Sequence, residues 1–143
     1  DYETLARFKW YAFAVKGTYR VARMESTGTG KRRQIYMHRQ ILGEPEGMCV
    51  DHANRNSLDH RRVNLRVCTT RENNRNVSPR NGSSSKYLGV SWNKDKRAWT
   101  AQIMVDGMSK YIGKFASEDD AARAYDAAAR SHHGEYANPN FKD

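Results

Sequence analysis

The sequence predicts an α+β fold in two units: a small antiparallel sheet leading into a strand–loop–strand–helix motif, then a three-stranded antiparallel sheet packed on one α-helix. Three observations predict it. Short runs rich in aromatic and β-branched residues recur between turn signals, the pattern of short antiparallel strands. One long run, residues 117–134, carries helix start, stripe and stop signals. Between the units, residues 77–86 hold Pro79, Gly82 and three consecutive serines, a composition that reads as a flexible linker. The expected boundaries are 1–76, a linker over 77–86, and 87–143.

Each element has its own justification. Residues 1–7 read as a helical turn. FKWYAFAV (8–15), YRVARM (19–24) and RRQIYMH (32–38) read as strands separated by KGT and by the flexible STGTGK. HRQILG (38–43) reads as a helical turn stopped by Gly43. MCVDH (48–52) is a short strand into a polar loop, and VNLRVCT (63–69) returns with Val63, Leu65 and Val67 on one face. TRENNRN (70–76) reads as a short helix capped by Thr69 or Thr70. In the second unit YLGVSW (87–92), AWTAQIM (98–104) and SKYIGKF (109–115) read as strands, with Trp99, Ala101 and Ile103 sharing one face of the middle one. The helix begins with Ser117 and Asp120 in a capping pattern and with acids suited to its positive end. Its stripe is Ala121, Tyr125 and Ala128, and Gly134 stops it.

A net charge of +9 implies a polyanionic partner, by default nucleic acid. Residues 31–80 alone carry +6 of it. In the second unit residues 81–115 are +4 and residues 116–143 are −3, so the sheet is its expected nucleic-acid face. The two cysteines, Cys49 and Cys68, form no C-x-x-C pair; no structural zinc and no disulfide scaffold are expected, and both read as small semi-buried apolar residues in a reducing compartment. No apolar run approaches ~18 residues, so no membrane span is expected. A start at Asp1 rather than Met reads as a trimmed fragment.

The chemistry concentrates in residues 50–76. Asp51 and His52 are adjacent, Asn64 and Asn73 follow, and Arg55, Arg61, Arg62, Arg66, Arg71 and Arg75 are threaded between them. The Asp carboxylate and an Asn amide oxygen are hard ligands suited to Mg²⁺. An imidazole can deprotonate a water, and guanidinium groups hold phosphate. Together they suit metal-assisted attack on a phosphodiester. His60 reads as a loop residue, with a spare metal or phosphate ligand as the alternative, and His38 as a structural histidine under the site. Asn74 and Asn76 compete with Asn73 for the ligand role. Arg20, Arg23, Lys31, Arg32 and Arg33 gather near one end of the first sheet, where they would grip a DNA backbone or simply be solvated.

The D-H pair, the N-L-R strand and the following helical Asn resemble the HNH endonucleases of the homing and phage type, and YMHRQILG resembles the segment that precedes the D-H pair in them. The resemblance implies a ββα-metal nuclease motif with one divalent cation, Mg²⁺ or else Mn²⁺. It implies that His52 is the general base, that Asp51 and Asn73 hold the metal, and that Asn64 braces the His52 loop. Products would carry 5′-phosphate and 3′-hydroxyl ends.

YLGV, Trp99, YIGKF, AARAYDAAA and NPNF resemble the APETALA-type (ethylene-response-factor) DNA-binding domain. The base-reading positions depart from the plant pattern, holding Leu88, Ser91, Gln102 and Met104, so the fold is implied and the plant target sequence is not. Ser91, Lys94, Lys96, Arg97, Thr100, Gln102 and Tyr111 remain as candidate contacts, while Trp92 is either contact or core. The sequence thus predicts a sequence-directed DNA endonuclease acting on double-stranded DNA. It would work in the cytoplasm or nucleoid of a prokaryotic or phage-infected cell, as a monomer or a homodimer. The alternatives are a DNA-binding regulator that keeps an inactive nuclease fold and, more weakly, an RNA-binding protein.

Overall fold

The computed structural model describes residues 1–141. The chain divides into two compact units, Asp1–Asn74 and Arg75–Asp143. Both mix short antiparallel sheets with few helices, the α+β class. Among the described residues no helix is long and apolar enough to cross a membrane.

In the first unit α1 (Tyr2–Leu5) precedes a sheet in the order β1 (Tyr11–Val15), β2 (Thr18–Ser26), β3 (Arg32–Tyr36), all antiparallel. The first strand begins at Tyr11, three residues later than expected. Phe8 and Trp10 are used for packing instead: their rings meet edge to face at 6.3 Å, and the Trp10 indole N–H donates to the Leu5 carbonyl at 2.8 Å. The helical turn α2 (Met37–Ile41) leaves β3 directly. Next come the antiparallel pair β4 (Cys49–His52) and β5 (Leu65–Cys68), then α3 (Thr70–Asn73). Ala22, Ile35, Ile41, Leu65 and Cys68 form the small apolar interior.

Two expectations for this unit change. Val63 is 91 % exposed, because Arg62–Asn64 forms a 3-10 turn and β5 starts only at Leu65. Arg23, expected at a DNA backbone, is buried. It pairs with Ile35 across the sheet, donates to Gln40 Oε1 at 2.9 Å and Glu25 Oε1 at 2.8 Å, and lies 4.0 Å from the Phe8 ring centroid. Its guanidinium is satisfied by side-chain acceptors, as a buried arginine requires.

In the second unit β6 (Val90–Asn93), β7 (Ala98–Val105) and β8 (Met108–Phe115) form an antiparallel sheet, followed by α4 (Glu118–His133). Val90, Ala101, Ile103 and Val105 pack against Ala121, Ala122, Tyr125 and Ala129, so small helix residues bring α4 close to the sheet. Gly89 is required at that contact. It has φ +72°, and a Cβ there would fall 2.2 Å from the Tyr125 ring and 2.7 Å from the Gln102 carbonyl. Ser117 Oγ accepts from Asp120 N at 3.4 Å at the helix start.

The C-terminal segment is held by Asp126, which is 1 % exposed. One carboxylate oxygen accepts from Asn140 N at 2.7 Å and the other from Phe141 N at 2.8 Å. Residues 77–86, expected as a flexible linker, are also anchored at several points. Ser85 is buried and donates to Glu118 Oε1 at 2.7 Å, Ser84 Oγ accepts from Trp92 N at 2.9 Å, and Asn138 donates to the Val77 carbonyl at 2.7 Å. The hydroxyls that made this stretch look flexible are the groups that tie it down.

Candidate active site

The site is built on β4, β5 and α3. The pair is in register Cys49 with Cys68, Val50 with Val67, Asp51 with Arg66 and His52 with Leu65. Successive residues of a strand project to opposite faces, so Asp51 and His52 leave β4 in different directions. Asp51 faces its cross-strand neighbour: Arg66 donates to its Oδ2 from Nε at 2.9 Å and from Nη2 at 2.7 Å, with both side chains largely buried. The helix α3 packs on both strands. Its start is fixed by a capping box in which Thr69 Oγ1 accepts from Glu72 N at 3.2 Å and Thr69 N donates to Glu72 Oε2 at 2.7 Å. Asn73, half-buried, is its last residue.

His52 faces two other imidazoles. His38 comes from α2 and His60 from the loop between β4 and β5. Ring centroids lie 5.3 Å apart for His38 and His52, 5.2 Å for His52 and His60, and 6.1 Å for His38 and His60. One nitrogen from each ring lies within 4.8 Å of the others. His38 also stacks on Tyr36, with centroids 5.7 Å apart. Three half-buried imidazoles this close favour the neutral form. Burial first, then the charges His52 and His60 would carry, pushes His38 down to about 4. Burial, then His60, lowers His52, although Asp51 and Asp59 oppose the shift. Burial lowers His60.

The loop after His52 is shaped by Asn64, which is 6 % exposed. Its Oδ1 accepts from Asn54 N at 2.9 Å and its Nδ2 donates to the Asp59 carbonyl at 2.8 Å, while Ala53 N donates to the Asn64 carbonyl at 2.8 Å. Asn54 Nδ2 and Arg61 both bond Asp59, at 2.8 Å and 2.7 Å, and these contacts hold its carboxyl well below the usual carboxylate range, Arg61 contributing most. His60 follows directly, with Nδ1 3.1 Å from the Leu58 carbonyl.

The expected DNA contacts are not equivalent in the structure. In the first unit Arg20, Lys31, Arg32, Arg55 and Arg71 are exposed, with Arg20 5.7 Å from the Tyr36 ring centroid. Arg33 is paired with Glu25 at 2.7 Å, Arg66 belongs to Asp51, and Arg23 is interior. Arg75 is half-buried in the second unit. There Lys94, Lys96 and Arg97 are exposed on the turn between β6 and β7, and Gln102 and Tyr111 are exposed cross-strand partners. Ser91 and Thr100 bond each other at 3.1 Å and are only half-buried. Trp92 is 39 % exposed and meets Trp99 edge-on at 5.2 Å.

Sequence reasoning treated His38 and His60 singly and missed the cluster. A signal existed: three of the chain's five histidines fall within residues 38–60.

The antiparallel pair β4–β5 and the capped helix α3 carry the D-H, N-L-R and Asn73 positions on which the sequence resemblance rests. Comparison with known proteins agrees. The HNH endonuclease family profile matches residues 33–75. An uncharacterized HNH endonuclease of Acanthamoeba polyphaga mimivirus is 30% identical over 145 residues, spanning 97% of this chain and 70% of that protein. This chain belongs to the HNH endonuclease family. Protein 3.8 of Escherichia phage T7 is 30% identical over 77 residues, which is 53% of this chain and 64% of that protein. The AP2/ERF and B3 domain-containing transcription factor RAV1 of Arabidopsis thaliana is 42% identical over 72 residues, half of this chain and 21% of that protein.

Members of this family generally use a divalent metal ion. The candidate donors are of two chemical kinds. Asp51 and Asn73 on the ββα elements offer oxygens, suited to Mg²⁺ or Mn²⁺. His38, His52 and His60 offer nitrogens, suited to later first-row ions.

Proposed function

We propose that this chain is a metal-dependent, sequence-directed DNA endonuclease of the homing or phage type, hydrolysing phosphodiester bonds by nicking or double-strand cleavage. The observation that carries the reading is the state of His52: it ends β4 beside a braced loop, and burial keeps its imidazole neutral, ready to accept a proton. His52 takes the proton of a water that attacks phosphorus. The 3′-oxygen leaves and is protonated from solvent, giving 5′-phosphate and 3′-hydroxyl ends. Asp51 and Asn73 would hold a divalent cation, and Arg66 orients the Asp51 carboxylate. A cation bound there would supply Lewis acidity to the phosphodiester. Arg55 and Arg71 are exposed near the same elements and take phosphate oxygens. Asn64 holds the loop in shape.

The second unit is read as an APETALA-type DNA-binding domain that grips the target. Its partial likeness to transcription factors supports this, as do exposed Gln102 and Tyr111 on the sheet and exposed Lys94, Lys96 and Arg97 on its β6–β7 turn. Gln102 can bond adenine and the cations guanine or phosphate.

The test is incubation of supercoiled plasmid, and of the DNA flanking the gene, with the protein and Mg²⁺. Nicking should vanish with EDTA, and His52→Ala should slow it by roughly 10²–10⁴ or more. Absence of nicking on every DNA, with tight binding retained, would replace this reading by a DNA-binding regulator that keeps the nuclease fold without its activity.

A further inference from the structure

The imidazole cluster is more than an environment for a base. His38, His52 and His60 come from a helix, a strand and a loop, so their convergence is a product of the fold and not of local sequence. The Leu58 carbonyl can only accept, so the 3.1 Å contact sets His60 as the tautomer with its proton on Nδ1. That leaves the lone pair on Nε2, which is buried and has no hydrogen-bond partner. A buried acceptor left this way costs free energy unless something binds it. A carbonyl fixing the far nitrogen of an imidazole is also how proteins aim histidine ligands at metals. Imidazole bonds to zinc-like ions are about 2.0–2.1 Å, which places two ligands of a tetrahedral ion roughly 3.4 Å apart. Ligand atoms within 4.8 Å of one another reach that spacing by side-chain rotation. Nitrogen-only donors select Zn²⁺, Co²⁺ or Ni²⁺ over Mg²⁺.

We propose that His38, His52 and His60 form a three-imidazole site for one transition-metal ion of the Zn²⁺, Co²⁺, Ni²⁺ class, and that filling it withdraws the His52 lone pair and arrests Mg²⁺-supported cleavage. The binding half stands on the geometry alone; the arrest rests on the reading of His52 as the base.

The full chain, freed of metal by chelation, is titrated with Co²⁺ without DNA and followed by visible absorption. One Co²⁺ per chain with a d–d spectrum that excess Mg²⁺ does not displace is the expected result. His60→Asn and His38→Gln should each weaken binding by more than about 100-fold, since loss of a ligand exceeds the cost of losing an outer partner. Asp51→Asn should retain the spectrum. A second measurement needs no variant: Zn²⁺ should shift the imidazole NMR signals of His38, His52 and His60 and leave exposed His132 unmoved. No cobalt absorption, or equal binding by correctly folded His60→Asn, overturns the site. For the arrest, Zn²⁺ is added to the Mg²⁺ nicking assay and each protein is compared with its own zinc-free rate. Wild type should be inhibited and His60→Asn should not; equal inhibition of both overturns the arrest. If neither protein nicks DNA, the nuclease reading and the arrest fall together, while the cobalt titration still decides the site.

Discussion

Arg66 donates two hydrogen bonds to a single oxygen of Asp51, from Nε at 2.9 Å and from Nη2 at 2.7 Å, across the β4–β5 ladder. The carboxylate side chain is 9 % exposed and the guanidinium 18 %, so the pair is largely desolvated. Removing one partner of such a pair strands a buried charge, typically at about 3–5 kcal/mol. Arg66→Met is therefore expected to lower unfolding free energy by about that much in urea titrations. Asp51→Asn combined with Arg66→Met should recover most of it, because no stranded charge remains. Equal stability of wild type and Arg66→Met would mean that the pair is solvated in solution.

Asn64 closes the His52 loop at both ends, through Asn54 N and the Asp59 carbonyl. Asn64→Ala deletes both bonds to partly buried backbone groups, a cost of about 1–3 kcal/mol. Asn64→Asp keeps the acceptor and loses the donor, so it should fall between the two. Hydrogen exchange at Asn54 reports the change: protection should drop in Asn64→Ala, whereas unchanged protection would show that the loop holds itself.

The buried histidines give stability a defined pH dependence. Burial and its histidine neighbours hold His38 at about 4 in the folded chain, against an ordinary value of 6.5. The unfolded chain therefore binds protons first as pH falls. Nothing is lost above pH 6.5, stability declines between 6.5 and about 4, and the contribution levels off below that. His52 and His60 shift in the same direction and steepen the same window. Thermal melts from pH 7.5 to 4 should show a falling Tm, and His38→Gln should flatten it. A Tm that rises on acidification contradicts the buried cluster.

Asp126 anchors the C-terminal segment by accepting from Asn140 N, Asn140 Nδ2 and Phe141 N. Asp126→Asn replaces one acceptor oxygen with a donor facing donors. Loss of a charged acceptor is worth about 1.5–3 kcal/mol. Limited proteolysis should then cut near Asn138–Asn140 much faster than in wild type; unchanged cutting would place the anchor elsewhere.

The second unit was the more legible of the two. Alternation in β7 correctly sorts Ala101 and Ile103 inward and Gln102 and Met104 outward, and Ser117 and Gly134 bound α4 at its ends. Asp126 was not legible, because its partners lie in a segment that only tertiary folding returns to the helix. In the first unit the strands were legible, but β5 was read over 63–69 where it spans Leu65–Cys68, and Val63, grouped on one face with Leu65 and Val67, is exposed. A 3-10 turn leaves no hydrophobic period to read.

By itself the sequence determined the local things: which stretches are strands or helices, which strand face is apolar, where positive charge concentrates, and the D-H, N-L-R, Asn spacing that belongs to the HNH family. Those follow from side-chain period, turn chemistry and composition, which act over a few residues. Only the tertiary structure decided that Arg23 turns inward, that Arg66 serves Asp51, and that His38 and His60 meet His52. Each depends on strand register or loop closure, which bring together groups whose sequence neighbours say nothing about one another.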